Sequence, residues 1–301
     1  MSWIAVLLIG YAVADLTHSV RPARIVPEAT GAVVAILVGL LAGLTEPLDV
    51  LALVVVAGLV VAWGQTVTHG FAHRIPVWVP LLVLGGGLGL AILFSGAAGQ
   101  AGGPWGAWLE GSGLPALAAL DPDRALLLVG AFLVQLSTGN VIVRLVLAAT
   151  GTADPDEHGS IEADPSVVRL KGGRLLGPME RVFILALALA GQITAASIVV
   201  AAKGLLRFPE LSSRGEQERI HQLTEYFLVG SFISWLVALG SLVLLSGNLP
   251  FRTEVVSVRV LTFIENGNTA AAAALASVML AVALFVIVAL DLVQRRVARR
   301  G

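Results

Sequence analysis

Eight apolar runs dominate this chain, at approximately 3–18, 29–44, 50–67, 77–96, 124–149, 178–204, 225–247 and 270–293. Most are close to the roughly 20 residues that carry an α-helix across hydrocarbon. A backbone in lipid must satisfy its own polar groups, so runs of this length predict helices packed side by side. The fold class read from them is all-α, a polytopic membrane bundle forming one transmembrane domain over 1–301. The charge content agrees: 13% of residues are charged, where soluble domains carry about a quarter.

Charge placement predicts the topology. If all eight runs cross, the lysines and arginines fall almost evenly on the two sides. If 178–204 instead enters and leaves by one face, leaving seven spans, fourteen basic residues fall on one side and three on the other. That asymmetry is what cytoplasmic loops collect. It places the hydrophilic loop 150–177, whose acidic half reads as mobile, and the basic tail 294–301 in the cytoplasm, and the Trp-rich loop 97–123 outside. The alternative is eight spans with 178–204 as one tilted helix about 40 Å long. One pair separates the two: Glu180 and Lys203 lie about 35 Å apart on a continuous helix, yet meet if it doubles back at Gly191-Gln192.

Two of the long runs are interrupted by polar residues, at Gln135-Leu136-Ser137-Thr138-Gly139-Asn140 and at Gly191-Gln192-Ile193-Thr194. Irregular or polar stretches at membrane depth persist only against protein or a wet cavity. Gln135 and Asn140 are separated by about 140° on a regular helix. Either the intervening stretch is unwound, exposing carbonyls, or the two amides serve different neighbours, and the latter is slightly favoured. Arg144, one turn further on, is expected at headgroups or beside an acid such as Glu180. The candidate binding residues are therefore Gln135, Asn140 and Gln192, with Glu180 and Lys203 at a cytoplasmic mouth.

The net charge of −1 gives no basic footprint for nucleic acid, and the absence of cysteine removes thiolate chemistry. His69 and His73 share a helical face at a spacing that can hold a metal, and Asp15 and His18 would complete a four-ligand set if their helices touch. No cofactor is read from the sequence. Ala12-Val13-Ala14 imitates a signal-peptidase site but follows no basic region, so retention of the first helix is expected.

Gly173-Arg174, Gly177, Glu180-Arg181, Gly191-Gln192, Ala202-Lys203, Arg207-Phe208, Glu210, Glu225-Tyr226, Gly230 and Ser234 resemble, in order and spacing, a bacterial family of multi-span membrane proteins that is defined as a domain of unknown function. The resemblance covers 171–247 and implies a shared membrane module. The family's first-helix pattern of His and Asp ending in Gln is matched here only by Asp15. The functional expectation is a bacterial cytoplasmic-membrane protein, C-terminus inside, that binds or passes a small solute or ion between the fifth and sixth runs. Its partners would be the bilayer and, at the basic tail, anionic lipids. The alternative is a scaffold or sensor whose loops 150–177 and 203–224 recruit a cytoplasmic protein. An intramembrane metal enzyme built on the histidines ranks below both.

Overall fold

A computed structural model describes residues 1–21, 23, 25–152, 173–211, 217–246, 263–267, 269–274 and 276–277. Every regular element among them is helical. The chain forms two compact units, Met1–Leu245 and Ser246–Gly301. In the second, short helical pieces are described at 263–265 and within 269–277, and the Ser277 hydroxyl donates to the Ala273 carbonyl at 2.8 Å. The last apolar run, beyond 277, and the basic tail lie outside the described residues, as does most of the 150–177 loop.

The first unit is built around its first helix, α1 (Ser2–Val20), which is buried from Ser2 through Ala12 and again at Ala14 and Asp15. A helix that is apolar on all sides belongs inside a bundle. It packs against α2 (Val26–Leu41), α3 (Pro47–Phe71), α4 (Trp78–Leu93), α7 (Pro122–Leu136) and α8 (Thr138–Ala149), while α5 (Gly103–Glu110) and α6 (Pro115–Ala118) form the connection ahead of α7. Small residues set the closest approach. A Cβ on Gly31 of α2 would fall 2.7 Å from the Ala14 Cβ of α1, so the two backbones cross in near contact.

Two tryptophans fasten α1 to α3. Trp3 Nε1 donates to Asp49 Oδ1 at 2.7 Å, and Trp63 Nε1 donates to both Asp15 oxygens at 3.1 Å. Each helix supplies one Trp and one Asp. The two bonds lie about 18 Å apart along α1 and about 21 Å apart along α3 at 1.5 Å per residue. α1 and α3 therefore run parallel, with α2 returning between them. Asp49 also accepts the Gly99 N–H at 3.0 Å, and Asp123 in the first turn of α7 accepts the Ala101 N–H at 3.0 Å, which anchors the loop after α4.

The run at 178–204 is two helices. α9 (Gly173–Leu189) ends in a turn at 190–192 and α10 (Ile193–Leu211) follows. Gly191 turns the chain at φ +75°, a conformation a β-carbon would strain. The arms pack on one another, and Lys203 Nζ reaches Glu180 Oε2 at 2.5 Å. A continuous rod is excluded by that pair.

Among the described residues, three helices are long and apolar enough to cross a membrane, Ser2–Val20, Pro47–Phe71 and Thr224–Leu245 within α11 (Gln217–Ser246), or four if α7 and α8 count as one bent span. The hydropathy of the sequence predicts seven or eight. Part of the difference is that an apolar run includes the turn residues that end a helix: α2 and α4 have 16 residues each, about 24 Å, and 178–204 is divided; the run at 270–293 lies mostly outside the described residues and is not counted. The outer faces are strongly apolar, with Leu51, Val54, Leu82, Leu93, Ile198 and Phe232 all more than half or nearly half exposed.

Candidate functional site at a broken helix

The run at 124–149 folds as α7 and α8, which meet at Ser137 with a bend of 48°. Ser137 has φ −126° and ψ −65°, outside the helical range, so the ladder is cut there. A cut helix leaves carbonyls at the end of one half and N–H groups at the start of the next. A buried ionisable side chain lies at each end.

At the α7 end, the Gln135 carbonyl accepts from Arg181 Nε at 3.1 Å and from Nη2 at 2.8 Å. The same guanidinium donates from Nη2 to Asn140 Oδ1 at 2.7 Å and from Nη1 to Ser234 Oγ at 3.1 Å. Arg181 thus ties α7, α8 and α11 to α9, and it is only 1% exposed. Gly139 makes room for it: a Cβ there would sit 2.7 Å from Arg181 Nε. A planar cation with five donors suits several fixed acceptors better than an ammonium would.

At the α8 end, Thr138 Oγ1 donates to Asp15 Oδ2 at 2.6 Å, and Ser137 Oγ donates to the Ala12 carbonyl at 2.8 Å. Asp15 therefore sits at the positive end of α8, while Arg181 sits at the negative end of α7. Discontinuous helices with ends stabilised in this way are the building blocks of polar sites inside membrane bundles.

The predicted residues are distributed as follows. Gln135 and Asn140 do both things considered for them: the helix is broken, and the amides also take different partners. The Gln135 amide nitrogen donates to Ser241 Oγ at 2.7 Å and to the Ala131 carbonyl at 3.1 Å, leaving its Oε1 buried without a partner, while Asn140 turns to Arg181. Glu180 and Lys203 form their pair, and Trp235 Nε1 donates to the other Glu180 oxygen at 2.9 Å. Gln192 does not join them. Its side chain is exposed at the hairpin turn, and its backbone N–H closes that turn on the Leu187 carbonyl. Of the two partners expected for Arg144, Glu180 is occupied by Lys203; the exposed Arg144 side chain lies over the Phe71 ring at 4.8 Å.

The histidine set does not assemble. His69 Nδ1 lies 2.7 Å from the Gln65 carbonyl, His73 is exposed in the turn after α3 at φ +53°, His18 is exposed, and Asp15 is engaged by Trp63 and Thr138. Among the described residues no three His, Cys, Asp or Glu side chains are grouped for a metal.

Arg181 is the residue that the sequence underrates. Its position near the end of a run suggests an arginine reaching for headgroups, and only the hairpin carries it inward. The signal present in the sequence is its Glu180-Arg181 adjacency to a glycine at 177. A Cβ on Gly177 would come within 3.6 Å of both Arg181 Nη1 and Asn140 Oδ1.

The fold and site define a helical bundle with a charge-stabilised broken helix beside a helical hairpin. No protein family, no curated protein and no solved structure matches the chain.

Proposed function

We propose that this chain is a polytopic protein of a bacterial cytoplasmic membrane that binds or passes a small polar solute or ion at the α7–α8 break. The observation that carries the reading is the break itself, with Arg181 on the carbonyl at the end of α7 and Asp15 on the hydroxyl of Thr138, the first residue of α8. An unbroken helix would satisfy the same backbone with no charged residue at all. Each ionisable side chain at the centre of a membrane helix costs about 2.5–3.5 kcal/mol on insertion scales. A sequence that places two of them, one of each sign, around an interruption holds polar backbone inside the bundle for a purpose other than stability. Gln135, Asn140 and Arg181 would contact the solute, and the Glu180–Lys203 pair, with Lys203 still partly exposed, would form the way in.

Membrane residence is supported by the apolar outer faces of α3 and α11, whose span windows are only 28% buried although their hydropathy is the highest of the three candidates. Apolar surface on that scale requires lipid or a partner. In the same reading, α9 and α10 form a hairpin that enters and leaves by the cytoplasmic face, and the resemblance over 171–247 marks a shared membrane module. Four of the residues that carry it, Glu180, Arg181, Lys203 and Ser234, contact one another or the break.

The test is flux. Purified protein in phospholipid vesicles is given a panel of labelled inorganic ions, amino acids and organic acids. Uptake of at least one above empty vesicles, lost in Asn140→Leu and kept in Gln192→Leu, is expected. Inserted, folded protein that moves no member of the panel would remove the proposal.

A further inference from the structure

A second polar centre lies where α1, α2 and α3 pack together. Glu28, in the first turn of α2, is 2% exposed. One of its oxygens accepts from Gln65 Nε2 at 3.1 Å, and the other, Oε2, is buried with no hydrogen-bond partner. Asp15 is its neighbour. Trp63, which donates to Asp15, is followed by Gly64, against which the Glu28 side chain packs: a Cβ on Gly64 would fall 3.1 Å from Glu28 Oε1. On the same α1–α2 contact, a Cβ on Gly31, three residues on from Glu28, would fall 2.7 Å from the Cβ of Ala14, the residue before Asp15. Tyr11, whose ring meets that of Trp63 at 5.7 Å, contributes another buried oxygen without a partner.

The three buried acidic side chains of α1, α2 and α3 are therefore not equivalent to one another, nor to the half-buried Asp123 of α7. Asp49 has Trp3 and the Gly99 N–H, and Asp15 has Trp63 and Thr138, while Asp123 has the Ala101 N–H on one oxygen and leaves Oδ1 without a partner, but at a half-buried position. Glu28 has one neutral amide. Two carboxylates buried on the packed faces of adjoining helices do not both remain charged without a counter-charge. Among the described residues, the groups that face the pair are Tyr11, Trp63, Gln65 and Thr138, all neutral, with His69 turned onto the Gln65 carbonyl and His18 exposed. The turn ahead of α2 carries Arg21, which is exposed, and Arg24, which lies outside the described residues.

We propose that Glu28 and Asp15 hold one exchangeable monovalent cation, a proton or a sodium ion, with the unpartnered Glu28 oxygen as its principal ligand. Because Asp15 also holds Thr138 at the start of α8, occupancy of this site is linked mechanically to the broken helix. The inference stands apart from solute flux, since a cation can bind here whether or not anything passes the break.

The experiment is carbodiimide labelling of the full chain in detergent, read by mass spectrometry, because the reagent attacks protonated carboxyl groups in apolar surroundings. An adduct on Glu28 is expected, absent in Glu28→Gln. If the ligand is a proton, labelling falls roughly tenfold per pH unit above the titration point, regardless of salt. If it is sodium, added sodium protects where choline at equal ionic strength does not. Failure of both Glu28 and Asp15 to label at any pH or salt would overturn the site. So would labelling of Glu28 that appears only in Arg24→Gln, since an arginine would then be the fixed counter-charge. Wild-type protein decides the first question even if Glu28→Gln does not fold.

Discussion

Replacing Arg181 with methionine tests the central construction. Methionine matches the length of the arginine stem and removes all four hydrogen bonds, so the Gln135 carbonyl, Asn140 Oδ1 and Ser234 Oγ lose their donor together. Ser234 recovers by rotating its hydroxyl onto its own helix, and Asn140 by turning its amide. The Gln135 carbonyl has no such freedom, because the residue that would bond it in a continuous helix lies beyond the break at Ser137. A buried acceptor left unpaired costs about 1–3 kcal/mol. Against this, removal of a buried cation relieves its own desolvation, which is why replacing whole buried ionic groups can be nearly neutral. Here only the cation goes and the acceptors stay, so the loss prevails, at about 3 kcal/mol with the three acceptors partly relaxed. At roughly 2–4 °C per kcal/mol for chains of this size class, the midpoint of thermal unfolding in mild detergent, followed by size-exclusion chromatography of heated samples, should fall by about 6–12 °C. Arg181→Lys should recover less than half of that, because one ammonium cannot span acceptors on three helices. A methionine variant that melts with the wild type would show that the break does not depend on Arg181.

Two further outcomes follow. Ser160→Cys and Ser213→Cys flank the α9–α10 hairpin, and the natural chain has no cysteine; an impermeant thiol reagent applied to intact cells should spare both until lysis, and reaction of one alone would show that the polypeptide crosses between them. Trp63→Phe removes both hydrogen bonds to Asp15 while Thr138 retains its own; a loss of about 1–3 kcal/mol is expected, read as a lower unfolding midpoint, and an equal loss in Trp63→Phe made on Asp15→Asn would show that packing and not the hydrogen bond is responsible.

The apolar runs and the polar interruptions were legible in the sequence because both are local: a helix forms or breaks according to residues within one or two turns. The cut at Ser137 and the fold at Gly191 fall at Ser-Thr-Gly and Gly-Gln in otherwise apolar surroundings, and the arginine distribution independently favoured a hairpin at 178–204. What a sequence alone determines here is an all-helical chain with two polar interruptions; whether the helix breaks at the first and doubles back at the second was left open by it. Which side chains meet across those breaks was decided by packing. Arg181 and Glu180 are adjacent in sequence, yet successive residues on a helix point about 100° apart, so one faces Gln135 while the other faces Lys203 and Trp235. Gln192, central in its run, fell at the tip of the turn and away from the site because the chain reverses at Gly191. The reciprocal Trp3–Asp49 and Trp63–Asp15 bonds span 46 and 48 residues, and no local spacing encodes them. They exist because α2 returns the chain so that α3 lies parallel to α1, and that arrangement is a property of the whole bundle.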